Sequence, residues 1–313
     1  MAGKPSGQRT CADAACMIAM PTSSVFHFFA CLMERRGYFV QDNKLEDFAF
    51  PRDMIAAESR SGFPDFVLKT NRDAPLSGGE FIELKDAKSY QIASFNSTLP
   101  SAVKSVSSLT QNMKNQLLGA GEDIEAVPQR DVYYLVRGIK RTLSSPLAKT
   151  VLVSGGFFET VPTGEVLTSA FEQVAAASAS DDMDVSKLTR HLDIQQANFA
   201  ETRRVEGSSI SVRFRVMAQV DPRANLLSEA RFPMIAANTL TMLVHEPQLT
   251  DPDLRNQYTW DQAPDAIKNC DAYNHLAQAL DEIDKSLKEV IRVSVLRHPM
   301  NGPFFMAQAS IHP

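Results

Sequence analysis

Three residues in the stretch from Phe63 to Pro100 carry groups that do chemistry together: Asp65, Glu83 and Lys85. Two carboxylates joined by phosphate oxygens make a site for a hard divalent cation such as Mg2+, which takes oxygen ligands. A lysine beside them can orient and polarise an attacking water. That set of groups suits metal-assisted hydrolysis of a phosphodiester.

The local sequence predicts how the three groups meet. Phe66-Val67-Leu68 is a short apolar run and reads as a strand. Thr70 to Gly79 is rich in Asn, Asp, Pro, Ser and Gly and reads as a turn. Phe81-Ile82-Glu83-Leu84-Lys85 reads as the second strand of a hairpin. Side chains alternate along a strand, so Phe81, Glu83 and Lys85 share one face, and Ile82 and Leu84 point to the other. Asp65 begins the neighbouring strand and reaches the same edge.

Pro64-Asp65 and Glu83-Leu84-Lys85 resemble the paired motif of the PD-(D/E)xK nuclease superfamily. Ala93-Ser94-Phe95-Asn96-Ser97-Thr98-Leu99-Pro100 is similar to the segment after that motif in some bacterial type II restriction endonucleases. The likeness runs from Ser61 to Ser101. It implies an α/β (α+β) fold with a mixed β-sheet flanked by helices. It further implies a Mg2+ cofactor held by Asp65 and Glu83, with Lys85 polarising the attacking water. The implied reaction is cleavage of both strands of double-stranded DNA at a short specific sequence, leaving a 5′-phosphate. Superfamily members commonly have a helix before the hairpin that supplies a further acid. Glu34 and Glu58 are candidates, each weighed against a plain surface glutamate. Palindromic sites have two-fold symmetry, which a homodimer matches. A structure-selective repair or recombination nuclease is an alternative, and so is a catalytically silent DNA-binding protein. The bland reading makes Asp65 and Glu83 solvated charges with Lys85 as an ion-pair partner. The motif pair, the hairpin and the Phe95 to Thr98 run together favour the nuclease.

DNA contacts are expected from residues near the hairpin and from an arginine-bearing strand. Lys88, Asn96, Ser97 and Thr98 follow the catalytic strand closely. Ser209 to Val220 alternates, with Ile210, Val212, Phe214 and Val216 on one face and Arg213 and Arg215 on the other. Arginine binds phosphate and reads guanine. A solvated sheet face is the competing reading.

The flanking elements complete a core of helix, hairpin, helix, strand, strand, helix. Val25, Phe28, Phe29, Leu32 and Met33 predict a helix running to Arg36, capped by Thr22 or Ser23 and stopped at Gly37. Ser101 to Leu118 reads as an amphipathic helix with Ala102, Val106, Leu109, Met113 and Leu117 inward. Asp131 to Ile139 and Lys149 to Ser154 read as strands of one sheet. Val166 to Ala177 reads as a helix with Leu167, Ala170, Phe171 and Val174 inward. Ala179 to Asp184 reads as a linker, dividing a nuclease core over 1–180 from a region over 181–313 packed on it. From Asp271, the seam Tyr273, Leu276, Leu280, Ile283, Leu287 and Val290 predicts a helix that closes the core or joins a second subunit. Val290 to Leu296 reads as a terminal strand.

Composition sets outer limits. The 313 residues have a net charge of −5, which argues against indiscriminate coating of nucleic acid. No apolar run is long enough to span a membrane. The four cysteines (Cys11, Cys16, Cys31 and Cys270) lack metal-ligand spacing and read as free thiols in a reducing cytoplasm. Met1 to Gly7 reads as a tail.

Overall fold

The computed structural model describes residues 24–41, 43–58, 63–70, 79–87, 89–92, 94–95, 100–142, 146–162, 165–166, 168–170, 172–173 and 218–311. Helix α1 (Ser24–Glu34) forms where the apolar spacing predicts it. Val25, Phe28, Phe29, Leu32 and Met33 are all fully buried. The helix stops at Glu34, and a 3-10 turn over Arg36–Val40 carries Gly37.

Three short strands follow as an antiparallel meander: β1 (Ile55–Ala57), β2 (Phe66–Leu68) and β3 (Phe81–Ala87). Next come β4 (Ser94–Phe95), β5 (Val103–Ser105) and helix α2 (Gln111–Gly119). Strand β6 (Gln129–Arg141) then returns parallel to β3, and β7 (Pro146–Ser154) runs antiparallel to β6. Helix α2 lies between the parallel partners β3 and β6, as a crossover between parallel strands requires.

The C-terminal part adds strands to the same sheet. It contains β8 (Ala218–Gln219), β9 (Thr239–His245), β10 (Tyr258–Thr259), helices α3 (Asp265–Lys268), α4 (Asp271–Ile283) and α5 (Leu287–Val290), and strands β11 (Ile291–His298) and β12 (Gly302–Ser310). The sheet order is β1-β2-β3-β6-β7-β9-β12-β11-β10, with β5 on the first residues of β6 and β4 paired separately with β8. The fold is thus mixed α/β, a large mixed sheet with few helices.

Apolar layers cover both faces. On one, α1 packs on α4 over Phe66, Ile82, Leu135 and Leu152. On the other, Met113 and Leu117 of α2 join Val67, Phe81, Tyr134 and Val136, together with Leu226 and Leu227. The second layer reaches close to the backbone at Gly138. A Cβ there would lie 2.7 Å from the Ser89 carbonyl and 2.6 Å from Leu227, so the chain after β3 crosses β6 over a residue without a side chain.

Several expectations need correction. Ser101 to Leu118 is not one helix: it is β5, a 3-10 turn over Val106–Ser108, and α2 from Gln111. The serines explain the difference. Ser105 Oγ accepts from the Ser107 N–H at 3.2 Å and the Ser108 hydroxyl donates to the Ser105 carbonyl at 2.7 Å, which offers the backbone an alternative to helix. Thr110 then caps α2, accepting from the Met113 N–H at 3.2 Å. Val106, Leu109, Met113 and Leu117 are buried as expected, but from two elements.

The described residues between 165 and 173 are helical, yet Ala170 is exposed rather than inward. The Tyr273 seam breaks at Asp284, whose backbone is extended. Tyr273, Leu276 and Leu280 are buried in the chain's own core, while Val290 is 40% exposed. The seam therefore closes the core and is not available to a second subunit. The strand expected over Val290 to Leu296 is β11 over Ile291–His298, with Val290 ending α5, and it is not terminal: β12 follows and sits between β9 and β11. Cys31 and Cys270 are free thiols. Among the described residues no helix is long and apolar enough to cross a membrane. The tail, Thr22 and Ser23, the linker and the 180/181 division lie outside the described residues.

Candidate active site

The hairpin strands pair as predicted. Phe81 packs in one apolar layer, and Ile82 and Leu84 contribute to the other. Alternation then places Glu83 and Lys85 on the Phe81 face. In the β2–β3 register Phe66 faces Ile82 and Val67 faces Phe81, and the pairing ends there, with Asp65 and Glu83 as the next residues on the two strands. The Asp65 carboxylate accepts the Leu84 N–H at 2.6 Å, taking over where the strand pairing ends.

A buried ion pair fixes both ends of the connection between the two strands. Glu122 accepts the Thr70 N–H at 2.7 Å, and Arg130 donates to the Gly79 carbonyl at 3.1 Å. The two side chains meet at 3.4 Å. Gly79 has φ +62° and a Cβ there would meet the Arg130 guanidinium at 2.3 Å, so the contact requires glycine.

Burial dominates the electrostatics. It pushes the Asp65 carboxyl above its usual range, against the stabilising Leu84 N–H, and the negative charge of Glu46 pushes it further. Burial also pulls the Lys85 amine down, with Glu83 holding it up. The Lys85 Nζ lies 5.7 Å from the centre of the Phe95 ring.

Sequence reasoning missed four neighbours of this site. Glu46, in a 3-10 turn over Leu45–Asp47, acts on Asp65. Tyr134 stands opposite Glu83 in the β3–β6 register, fully buried. Glu159 accepts the Ala102 N–H at 2.5 Å. Lys104 on β5 is desolvated, which lowers its amine, while Glu83 and Glu159 raise it. Reading Ser101 to Leu118 as a helix hid Lys104. The β-branched Val103 and the serine-rich run after it were the available signal.

Of the two upstream glutamates, Glu34 lies away on α1, while Glu58 follows β1 directly, one residue past the Ala57–Phe66 pair, as Asp65 precedes that pair on β2. Glu34 is exposed at the end of α1 and acts on Cys31. Glu58 receives the Thr110 hydroxyl at 3.0 Å, at the start of α2. Lys88, Asn96, Ser97, Thr98, Arg213 and Arg215 lie outside the described residues.

The donor set fits a hard divalent cation. Asp65 lies just past the paired end of β2–β3 and Glu83 just past it on β3, and Asp65 is buried beside the negative charge of Glu46, which a cation would offset. Among the described residues no group of three or more His, Cys, Asp or Glu side chains is placed to hold a metal. The Asp65–Glu83 pair is a smaller set, of the size that leaves room for substrate oxygens.

On the opposite face of the same two strands lies a second charged cluster. Arg137, fully buried, donates to Asp86 through Nε at 3.0 Å and through Nη2 at 2.6 Å. It also donates to the Asn43 carbonyl, and Asp86 accepts the Leu45 N–H at 2.9 Å. These residues line a cleft of about 790 Å³ with Lys44, Glu46 and Asp47.

No protein-family model, curated protein or solved structure matches this chain.

Proposed function

We propose that the protein is a Mg2+-dependent endonuclease of the type II restriction kind, acting on double-stranded DNA at a short specific sequence. One observation carries the reading: Asp65 adjoins the paired end of β2–β3, its carboxylate accepting the Leu84 N–H next to Glu83, with Lys85 on the Glu83 face. The order helix, hairpin, helix, strand around that edge agrees with the core that the motif resemblance implies.

Asp65 and Glu83 would hold the cation. When bound, Mg2+ supplies Lewis-acid polarisation of a phosphate oxygen. Lys85 positions the attacking water and its depressed affinity for a proton keeps it responsive to that water. The water oxygen bonds to phosphorus and the bond from phosphorus to the 3′ oxygen breaks. The products are a 5′-phosphate and a 3′-hydroxyl, the 3′ oxygen taking up a proton. Glu122 and Arg130 hold the hairpin ends and so position Asp65 against Glu83. A homodimer would place one such site on each strand of a symmetric target.

Digestion of supercoiled plasmid DNA with Mg2+, followed by mapping of the ends, tests this. Discrete bands with 5′-phosphate ends are expected. Smearing would replace site-specific cleavage with structure-selective or indiscriminate cleavage. An intact plasmid across a panel of unrelated DNAs would overturn the nuclease reading.

A further inference from the structure

We infer that Lys104 is a second substrate-binding cation of this site and contacts the phosphate undergoing cleavage. The inference rests on the nuclease reading and extends it to a residue from a separate element.

Geometry brings Lys104 to the Glu83 face. In the β5–β6 register Lys104 stands opposite Arg130. Along β6, alternate residues from Arg130 reach Val132 and Tyr134, both in the apolar layer that holds Phe81. Tyr134 is itself opposite Glu83. The Lys104 Nζ lies 4.5 Å from the centre of the Phe63 ring, and the Phe63 and Phe81 rings are 6.0 Å apart. Phe81 precedes Glu83 by two residues on the same face. The amine therefore lies beside the entrance to the hairpin, next to the residue that leads into Pro64-Asp65.

The strand that carries Lys104 is anchored by its backbone. The Val132 N–H donates to the Ala102 carbonyl at 2.8 Å, the Ala102 N–H donates to Glu159, and the Val106 N–H donates to the Pro128 carbonyl at 3.0 Å. Backbone bonds therefore hold β5 in place without recruiting the amine. Among the described residues the amine makes a ring contact and no ion pair. An ammonium resting on an aromatic face keeps its N–H donors for an anion.

Charge balance gives the arrangement a use. Asp65, Glu83, Glu46 and Glu159 face Lys85 and Lys104, so the six side chains sum to −2 when all are ionised and a bound divalent cation brings the sum to zero. The two amines are then the groups left to meet the negative charge that a phosphodiester gains on attack. Lys85 and Lys104 flank Glu83 from β3 and β5, and so approach that phosphate from two strands. Preorganised cations at such a position act where charge develops.

The test compares Lys104→Met and Lys104→Arg with wild type, and with Lys140→Met as an exposed control paired to Glu229 at 3.7 Å. Binding of a short labelled duplex is measured in Ca2+ across a salt series, cleavage of plasmid DNA is measured in Mg2+, and unfolding is followed thermally. Lys104→Met should lower cleavage about 100-fold. It should also reduce the salt slope of binding by about 0.9, the value of one phosphate contact. Its melting temperature should not fall, since a desolvated charge has been removed. Lys104→Arg should keep the salt slope. A wild-type salt slope in Lys104→Met overturns the inference, whether or not cleavage is seen. Cleavage by wild type that persists undiminished in Lys104→Met overturns it too and leaves the nuclease reading standing. Binding without cleavage in wild type removes the nuclease reading and, with it, the inference. Absence of both binding and cleavage removes both.

Discussion

Strands β3 and β6 carry two charged clusters, one on each face, and they differ in how their charges are compensated. Asp86 and Arg137 satisfy each other through two hydrogen bonds, and the remaining capacity goes to Leu45, Asn43 and Gln41 backbone groups. Asp65, Glu83, Lys85 and Lys104 lie in the same strands' neighbourhood, yet burial outweighs partnership at Asp65, Lys85 and Lys104. A saturated pair holds a structure together. A set of desolvated charges that the protein only partly compensates is suited to a ligand that completes it. The lesson is that residue types alone do not separate the two roles: Asp86 follows Lys85 directly, and only the face and the partners distinguish it from Glu83.

The sharpest way to break the comparison is to remove the members of the partly compensated set. Asp65→Ala, Glu83→Ala and Lys85→Ala should each lower cleavage of plasmid DNA by about 10²–10⁴-fold or more. Each should leave circular dichroism and most DNA binding in Ca2+ unchanged. Wild-type turnover in any one of them would remove that residue from the site.

The saturated pair should respond in the opposite way. Arg137→Met leaves Asp86 and two backbone carbonyls without their buried partner, and breaking a buried pair costs about 3–5 kcal/mol. Denaturant unfolding should register most of that loss, while cleavage per folded molecule stays within a few-fold of wild type. A stable Arg137→Met protein with lost cleavage would exchange the roles assigned to the two faces.

Why the sequence revealed one cluster and not the other's neighbours follows from period and range. The hairpin was legible because its strands are short and bounded by Gly, Pro and Asp, and Glu83 and Lys85 share a face through simple alternation. Helix α1 was legible because five apolar residues repeat at helical spacing, although the helix is buried nearly all round. Strand β12, by contrast, is buried on both faces from Pro303 to Ala309. It shows no alternation, and a continuous apolar run does not by itself distinguish strand from helix. Lys104 was hidden because α-helical spacing of Val106, Leu109, Met113 and Leu117 extends across a turn that the serines impose. Glu46 reaches Asp65 through tertiary packing, which no local pattern encodes. Arg137 stood inside a well-predicted strand, but its pairing with Asp86 depends on the parallel β3–β6 register.

A smaller effect sharpens the link between β1 and the hairpin. Thr110→Ala removes the cap of α2 and a hydroxyl that donates to Glu58. The loss should be about 1 kcal/mol in denaturant unfolding. Cleavage should stay unchanged if the Thr110 hydroxyl serves the helix end alone. Loss of cleavage without loss of stability would return Glu58 to the site.

The pH dependence gives the finest distinction. Burial raises the Asp65 carboxyl in the folded chain. Its favourable contribution is therefore present below the unfolded carboxylate range and is lost as pH rises through the folded value. At neutral pH the ionised carboxylate costs stability. Asp65→Asn should thus raise the melting temperature at neutral pH and lower that advantage in acid. A melting temperature that falls at neutral pH in Asp65→Asn would contradict the assignment of burial as the dominant cause.

Calorimetric titration of Mg2+ or Mn2+ into wild type, Asp65→Asn, Glu83→Gln and Asp86→Asn asks directly which cluster receives the cation. The account predicts binding in wild type that is lost in Asp65→Asn and Glu83→Gln and kept in folded Asp86→Asn. Binding that survives in Asp65→Asn and Glu83→Gln, or that disappears only in Asp86→Asn, would contradict it.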